Sequence, residues 1–183
     1  MLLAQIYADT KAYDDAIEVL GEAYEKYPGE ITFLFTKAVH LEKKGDYQSC
    51  VATLKEVIKK DEKFSSALNF LGYLYAERGE NLEEAASLIK KALEIKPDDG
   101  FYLDSLGWVY FQKEDYPLAL KTLLKANEFA PNEGVILEHI SDVYKALGNE
   151  AKALEFIEAA SKARMDDRDK KRIENKYKEM NEK

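Results

Sequence analysis

Apolar side chains recur along this chain at intervals of three or four residues, with polar side chains between them. That spacing places the apolar residues on one face of an α-helix, whereas a half-buried strand would alternate apolar and polar residues. No alternating run is convincing enough to predict a strand. Glycines stand where helices are expected to end in left-handed caps, at Gly45, Gly79 and Gly148. The pattern predicts an all-α protein.

The helical pattern itself repeats. Small residues recur 34, 35, 34 and 34 residues apart, at Ala16, Cys50, Ala85, Ala119 and Ala153. Large aliphatic residues follow each of them by four positions, at Leu20, Leu54, Ile89, Leu123 and Ile157. Small side chains let two helices approach closely, and large ones fill the adjacent grooves. The extra residue of the third repeat is most simply Asn81, in a turn between helices.

Two segments carry the repeated motif in full. They are ALNFLGYLYAERGENLEEAASLIKKALEIKP and YLDSLGWVYFQKEDYPLALKTLLKANEFAP, which share L-G-x-x-Y, then an alanine, then a proline. A helical unit of about 34 residues with this pattern resembles the tetratricopeptide repeat. The resemblance implies a right-handed α-solenoid of antiparallel helix pairs, a superhelix whose first helices line a concave face.

The resemblance divides the chain into five repeats, the first expected to lack its opening turn. Their bounds are residues 1–30, 31–64, 65–99, 100–133 and 134–166. Residues 167–183 are predicted to form a C-terminal capping helix and tail, because Ile173, Tyr177 and Met180 share one helical face.

Composition narrows the chemistry. The formal net charge of −8 disfavours nucleic-acid binding, and no apolar run approaches the roughly 20 residues that span a bilayer. His40 and His139 are too isolated to build a metal site with the single cysteine, and Cys50 occupies a packing position that favours an inert buried thiol. No phosphate-binding loop or nucleophile elbow occurs. We therefore expect no enzyme activity, cofactor or metal.

The resemblance also implies where a ligand would bind, because ligands of this family usually meet the concave face through first-helix residues. Carried over repeat by repeat, the candidate positions are Phe35, Val39, Asn69, Phe70, Tyr73, Phe101, Asp104, Trp108, Phe111, Glu138, His139 and Asp142. Phe101, Trp108 and Phe111 are predicted anchors, since aromatic side chains bury large areas with few rotatable bonds. The alternative is that these aromatic rings only close the gap between neighbouring repeats.

Charge and similarity complete the prediction. Acidic residues outnumber basic ones along these positions, so a neutral, apolar or basic protein segment is the expected partner, with Asp104, Glu138 and Asp142 selecting cationic groups. The leading hypothesis is an interaction scaffold. The alternative is self-association through an apolar N-terminal edge formed by Leu2, Leu3, Ile6 and Tyr7. Loose similarity to bacterial multi-repeat proteins favours a cell-envelope location over the cytoplasm.

Overall fold

The structure is a computed structural model that describes residues 2–182, and eleven α-helices lie within that range. They are α1 (Leu2–Asp9), α2 (Tyr13–Lys26), α3 (Thr32–Lys44), α4 (Tyr47–Lys60), α5 (Ser65–Glu77), α6 (Leu82–Ile95), α7 (Gly100–Gln112), α8 (Tyr116–Phe129), α9 (Gly134–Ala146), α10 (Glu150–Lys162) and α11 (Asp167–Asn181). The predicted all-α solenoid of helix pairs is confirmed, and each of the five intervals holds one pair of helices. Within the described range the backbone forms one isolated β-bridge, between Glu133 and Arg164.

The chain divides into two compact units, and the boundary falls inside α5. Unit 1 comprises residues 1–71, with α1 to α4 and the start of α5, and unit 2 comprises residues 72–183, with the remainder of the chain. The sequence pattern gives no hint of this division, since the repeat register runs through α5 without interruption. Each unit is described by itself below.

The repeated small residues lie where helices meet. In unit 1, Ala16, Leu20, Cys50 and Leu54 are completely buried, as the register predicts. Ala4 of α1 is also buried against α2, and Tyr7 packs beside it. The same alternation of small and large side chains therefore fills the contacts between helices in this unit.

Two close helix contacts in unit 2 explain why two of the small residues are glycines. A Cβ atom on Gly72 would lie 2.6 Å from Ile89 Cγ1, and one on Gly107 would lie 2.6 Å from Leu123 Cγ. In the fifth repeat the equivalent residue is Ser141, whose hydroxyl donates a 2.7 Å hydrogen bond to the carbonyl of Ala153. Close approach is thus used for packing in the third and fourth repeats and for a hydrogen bond in the fifth.

Left-handed turns separate the helices of each pair. Gly45, Gly79 and Gly148 have positive φ angles of 87°, 65° and 75°, which confirms the predicted caps. Lys11 and Glu114 hold the equivalent positions of the first and fourth repeats, and both adopt φ of 60°. Sequence analysis missed these two turns because neither residue is a glycine, although a left-handed conformation costs an ordinary residue roughly 1 kcal/mol.

The C-terminal helix packs on the last repeat. Asp166 caps α11 by accepting a hydrogen bond from the backbone N–H of Asp169 at 2.9 Å. Ile173 is completely buried in a cluster with Leu137 and Ile157. The helix therefore covers apolar surface that the fifth repeat would otherwise expose, as expected of a capping helix.

Candidate ligand-binding face of the first helices

One face of α7 carries the aromatic residues singled out from the sequence. Phe101, Asp104, Trp108 and Phe111 follow one another at intervals of three, four and three residues, so they line the same side of the helix. Trp108 stacks on Phe111 with 4.6 Å between ring centroids and an interplanar angle of 8°. It also stacks on His139 of α9, at 4.2 Å and 16°. We call Phe111, Trp108 and His139 the aromatic stack.

The sequence left open whether these rings form an exposed surface or only close the gap between repeats, and the aromatic stack has features of both. Trp108 bridges α7 and α9, so it does close the gap between neighbouring repeats. Trp108 and Phe111 nevertheless remain only half-buried, and Phe101 on the same face is 56% exposed. The Nε1 atom of Trp108 is buried and has no hydrogen-bond acceptor among the described residues. These three residues of α7 leave apolar surface on one helix face.

His139 lies behind Trp108 in a buried polar pair. Its Nδ1 atom donates a 2.8 Å hydrogen bond to Oδ1 of Asp104, and both side chains are almost fully enclosed. Burial alone would lower the pKa of His139, but the Asp104 carboxylate, with smaller contributions from Glu138 and Asp142, outweighs it and raises the pKa above its usual value. A protonated imidazole stacked on an indole also gains a cation–π interaction.

Two basic residues of α11 form ion pairs with acidic side chains of α9. Arg172 Nη1 lies 2.5 Å from Glu138 Oε2, and Lys176 Nζ lies 3.1 Å from Glu138 Oε1. Lys176 also pairs with Asp142 at 2.6 Å. Only 1% of the Glu138 side chain is exposed, so its charge is neutralised within the chain. Burial without such partners would be strongly unfavourable for a carboxylate.

The structure therefore narrows the predicted role of the acids. Asp104, Glu138 and Asp142 were expected to select cationic groups of a ligand. Asp104 is instead bonded to His139 of α9. Glu138 and Asp142 form ion pairs with Arg172 and Lys176 of α11. Glu138 and His139 are themselves too enclosed to present a surface. The repeat register contains a clue that sequence analysis missed: His139 follows Asp104 by 35 residues, and Arg172 follows Glu138 by 34.

Tyr73 is the remaining candidate of unit 2. It is partly buried, and its hydroxyl bonds to the carboxylate of Glu77. Burial raises the pKa of Tyr73 well above its usual value, and the negative charges of Glu77 and Asp104 add to this effect. The phenol therefore stays neutral and acts as a hydrogen-bond donor.

The candidates in unit 1 come from the second and third repeats, and two of them share an aromatic cluster. The Phe35 ring lies 5.1 Å from that of Phe64 and 6.3 Å from that of Phe70, the latter pair nearly perpendicular. Val39 and Asn69 are partly buried. All members of this cluster are accessible to some degree, and their contact with a ligand stays a prediction.

Residues with catalytic or metal-binding chemistry occupy structural positions. Cys50 is completely buried, and burial, reinforced by Glu42 and Asp46, raises the pKa of its thiol to about 12. The thiolate that a nucleophile or metal ligand requires is therefore suppressed. Between residues 2 and 182, no group of three or more histidine, cysteine, aspartate or glutamate side chains is arranged to hold a metal ion. No helix of that segment is long and apolar enough to span a bilayer.

Comparison with solved structures supports the fold. The chain superimposes on TTC0263, a thermophilic tetratricopeptide repeat protein of Thermus thermophilus, with a TM-score of 0.81 and 19% identity over 98% of this chain and 96% of that one. It also resembles residues 41 to the end of MamA from Desulfovibrio magneticus RS-1, with a TM-score of 0.73 and 18% identity over 87% and 90% of the two chains. At these identities the likeness concerns the fold alone.

Sequence comparison identifies the family. TPR repeat-containing protein PA4667 of Pseudomonas aeruginosa is 30% identical over 135 residues, which cover 74% of this chain and 23% of that protein. The BBSome complex member BBS4 homolog of Drosophila melanogaster is 26% identical over 165 residues, or 90% of this chain and 34% of that protein. The chain thus spans a quarter to a third of these relatives. A family model described as tetratricopeptide repeat matches residues 2–170, and the chain belongs to the tetratricopeptide repeat family.

Proposed function

We propose that this chain is an interaction scaffold that binds an apolar segment of a partner protein on the α7 face formed by Phe101, Trp108 and Phe111. Tetratricopeptide repeat proteins bind protein partners, and the fold supports that general role. The finer assignment rests on one observation: the half-buried rings of Trp108 and Phe111 lie on the same helix face as the exposed ring of Phe101. Clustered exposed aromatic surface is typical of interaction sites.

The buried polar pair supports this role by holding Trp108 in place. His139 fixes one face of the indole, and Asp104 fixes His139, so the stack is organised before a ligand arrives. A preorganised anchor loses less side-chain entropy on binding than a free one. Because the acids on this face are paired within the chain, apolar contact rather than cation selection is the main contribution to affinity.

Selection from a random-peptide display library, followed by fluorescence titration, tests the proposal. Trp108 is the only tryptophan of the chain, so its emission reports directly on the aromatic stack. Selected peptides are expected to change that emission. Calorimetry, which also reads the tryptophan-free variant, should show a loss of about tenfold or more in affinity for Phe111→Ala and Trp108→Ala. Phe129→Ala, which removes an exposed ring from α8, is the matched control. Equal affinity for all three variants would reject the assignment.

Self-association is the second candidate. Leu2, Leu3 and Ile6 of α1 are 79%, 48% and 51% exposed, whereas Tyr7 packs onto the α1–α2 contact and is less available. Three exposed aliphatic side chains on one short helix favour a protein contact. Sedimentation at several concentrations should show a dimer that Leu3→Ser with Ile6→Ser converts to monomer. A monomer at every concentration excludes this candidate.

A further inference from the structure

A second apolar surface lies in unit 2, against the second helix of the fourth repeat. A cleft of about 500 Å³ opens between α7 and α8. Its floor is formed by Leu103, Leu106 and Tyr110, and its α8 wall carries Leu118 with Lys121 and Lys125. We call it the α7–α8 cleft. It involves none of the side chains of the aromatic stack.

Leu118 is the residue that packing does not explain. It directly precedes the small residue Ala119, and the equivalent position of the other four repeats is polar: Asp15, Ser49, Glu84 and Lys152. The fold therefore accepts a polar residue there. Leu118 is 36% exposed beside the cleft. Leu118 therefore adds apolar area to the lining of the cleft that the packing of the repeat does not require.

Basic residues outnumber acidic ones around the cleft. Lys121, Lys125 and Glu128 line it, and neither lysine is within 4.0 Å of a carboxylate among the described residues. The Lys125 ammonium group lies 5.5 Å from the centroid of the Phe129 ring. Lys90 of α6 adds a third ammonium group, 5.9 Å from the centroid of the Tyr110 ring. The chain as a whole carries a formal charge of −8, so this basic rim differs in sign from its surroundings. Such a rim complements negative charge.

Unit 1 provides an internal reference. A cleft of about 450 Å³ between α3 and α4 is lined at equivalent register positions, but Lys37 stands there in place of Leu106, Ser49 in place of Leu118, and Ala52 in place of Lys121. The repeat scaffold therefore produces a cleft in both units. Of these two clefts, the one in the fourth repeat combines an apolar lining with two lysines that have no carboxylate partner among the described residues.

We propose that the α7–α8 cleft binds a segment of a partner protein in which apolar side chains are flanked by aspartate or glutamate. The apolar side chains of the segment would contact Leu106, Tyr110 and Leu118, and its carboxylates would meet Lys121 and Lys125. This contact is independent of the α7 face, which uses first-helix side chains only. A variant of one surface should therefore leave binding to the other unchanged.

The experiment uses the full chain and a display library of peptides that mix leucine, phenylalanine, serine, aspartate, glutamate and lysine. The Trp108→Ala variant is the immobilised target of the selection, so peptides that need the α7 face are not enriched. Enriched peptides should be acidic and should bind more weakly as salt rises. They should lose about tenfold or more in affinity for Leu118→Ser, which removes an apolar contact. Lys121→Ala should weaken binding less and reduce its salt dependence.

Two controls make the result decisive. Leu147→Ser changes an exposed leucine outside the cleft and should leave peptide affinity at the wild-type value. Leu118→Ser and Lys121→Ala introduce residues that the equivalent cleft of unit 1 already carries, so the fold should be retained. Enrichment of basic peptides, or of peptides that bind Leu118→Ser as tightly as wild type, overturns the proposal. So does a change of oligomeric state caused by Leu118→Ser, which would make the cleft a contact between copies of this chain.

Discussion

The two buried histidines of this chain are in opposite situations. His40 in unit 1 lies beside the ring of Tyr13, and neither of its ring nitrogens has a hydrogen-bond partner among the described residues. Burial, aided by the positive charge of Lys43, lowers its pKa. His139 in unit 2 is bonded to Asp104, and its pKa is raised.

The difference follows from repeat position. His40 lies two residues after the small residue Ala38 on α3, where it is buried beside the ring of Tyr13. His139 lies two residues before Ser141, on the side of α9 that meets α7, where Asp104 is available. Histidine is therefore a buried neutral side chain without a hydrogen-bond partner in unit 1 and a member of the buried polar pair with Asp104 in unit 2. In unit 2 this pair holds Trp108 in place, because His139 stacks on the indole ring.

Removing the carboxylate should make the second histidine resemble the first. Asp104→Ala leaves His139 buried without its partner, and we expect a loss of about 3 kcal/mol in the free energy of unfolding. The pKa of His139 should fall below its usual value, as that of His40 does. Urea denaturation and an NMR titration of the histidine ring protons check both. Glu155→Ala, which breaks an exposed ion pair with Lys152, should change stability little.

The glycine of the fourth repeat should tolerate a side chain poorly. Gly107→Ala places a Cβ atom 2.6 Å from Leu123 Cγ, and we expect a loss of about 1–3 kcal/mol. Unit 1 has Ala38 at this position, so the penalty belongs to the closer helix contact of unit 2 and not to the fold in general. Gly29→Ala, where no atom lies within 4 Å of the added carbon, is the control for thermal unfolding. Equal effects of the two substitutions would contradict the close contact.

The two histidines should make the free energy of unfolding change with pH in opposite directions near their ordinary pKa of about 6.5. Folded His40 binds a proton less readily than the unfolded chain, so its contribution falls as pH drops below about 6.5. Folded His139 binds a proton more readily, so its contribution is complete below about 6.5 and is lost as pH rises through the raised pKa. Urea midpoints measured across pH check this. His40→Gln should remove the loss of stability below about pH 6.5, and His139→Gln should remove the loss above it.

The smallest expected effect is a gain in stability at the left-handed turns. Glu114→Gly in unit 2 and Lys11→Gly in unit 1 relieve a positive φ of 60°, and each should stabilise by about 0.5–1 kcal/mol. The net gain is limited because glycine also increases the entropy of the unfolded chain. Similar shifts in melting temperature for both variants would show that the turns, unlike the histidines, are equivalent in the two units.

The fold was predictable because packing constrains single positions strongly. A small residue at Ala16, Cys50 or Ala119 and a large one four residues later are each needed where helices meet, so the sequence records them in every repeat. The turn at Glu114 was not predictable, since the neighbouring helices impose the left-handed conformation on a residue that does not favour it.

The candidate site was only partly predictable. The spacing of Phe101, Trp108 and Phe111 correctly placed them on one face of α7. The pairing of Glu138 with Arg172 and Lys176 was missed, because counting charges along first helices ignores cations that a later helix brings to them. A count of charges predicts a selective surface only when the partners of each charge are known.

Trp108 fluorescence during titration with a display-selected peptide tests the central claim most directly. The account predicts a saturable change in emission with the wild-type chain, retained in Phe129→Ala and weakened about tenfold or more in Phe111→Ala. Saturable peptide binding, measured by calorimetry, that leaves Trp108 emission unchanged and is unaffected by Phe111→Ala would contradict it.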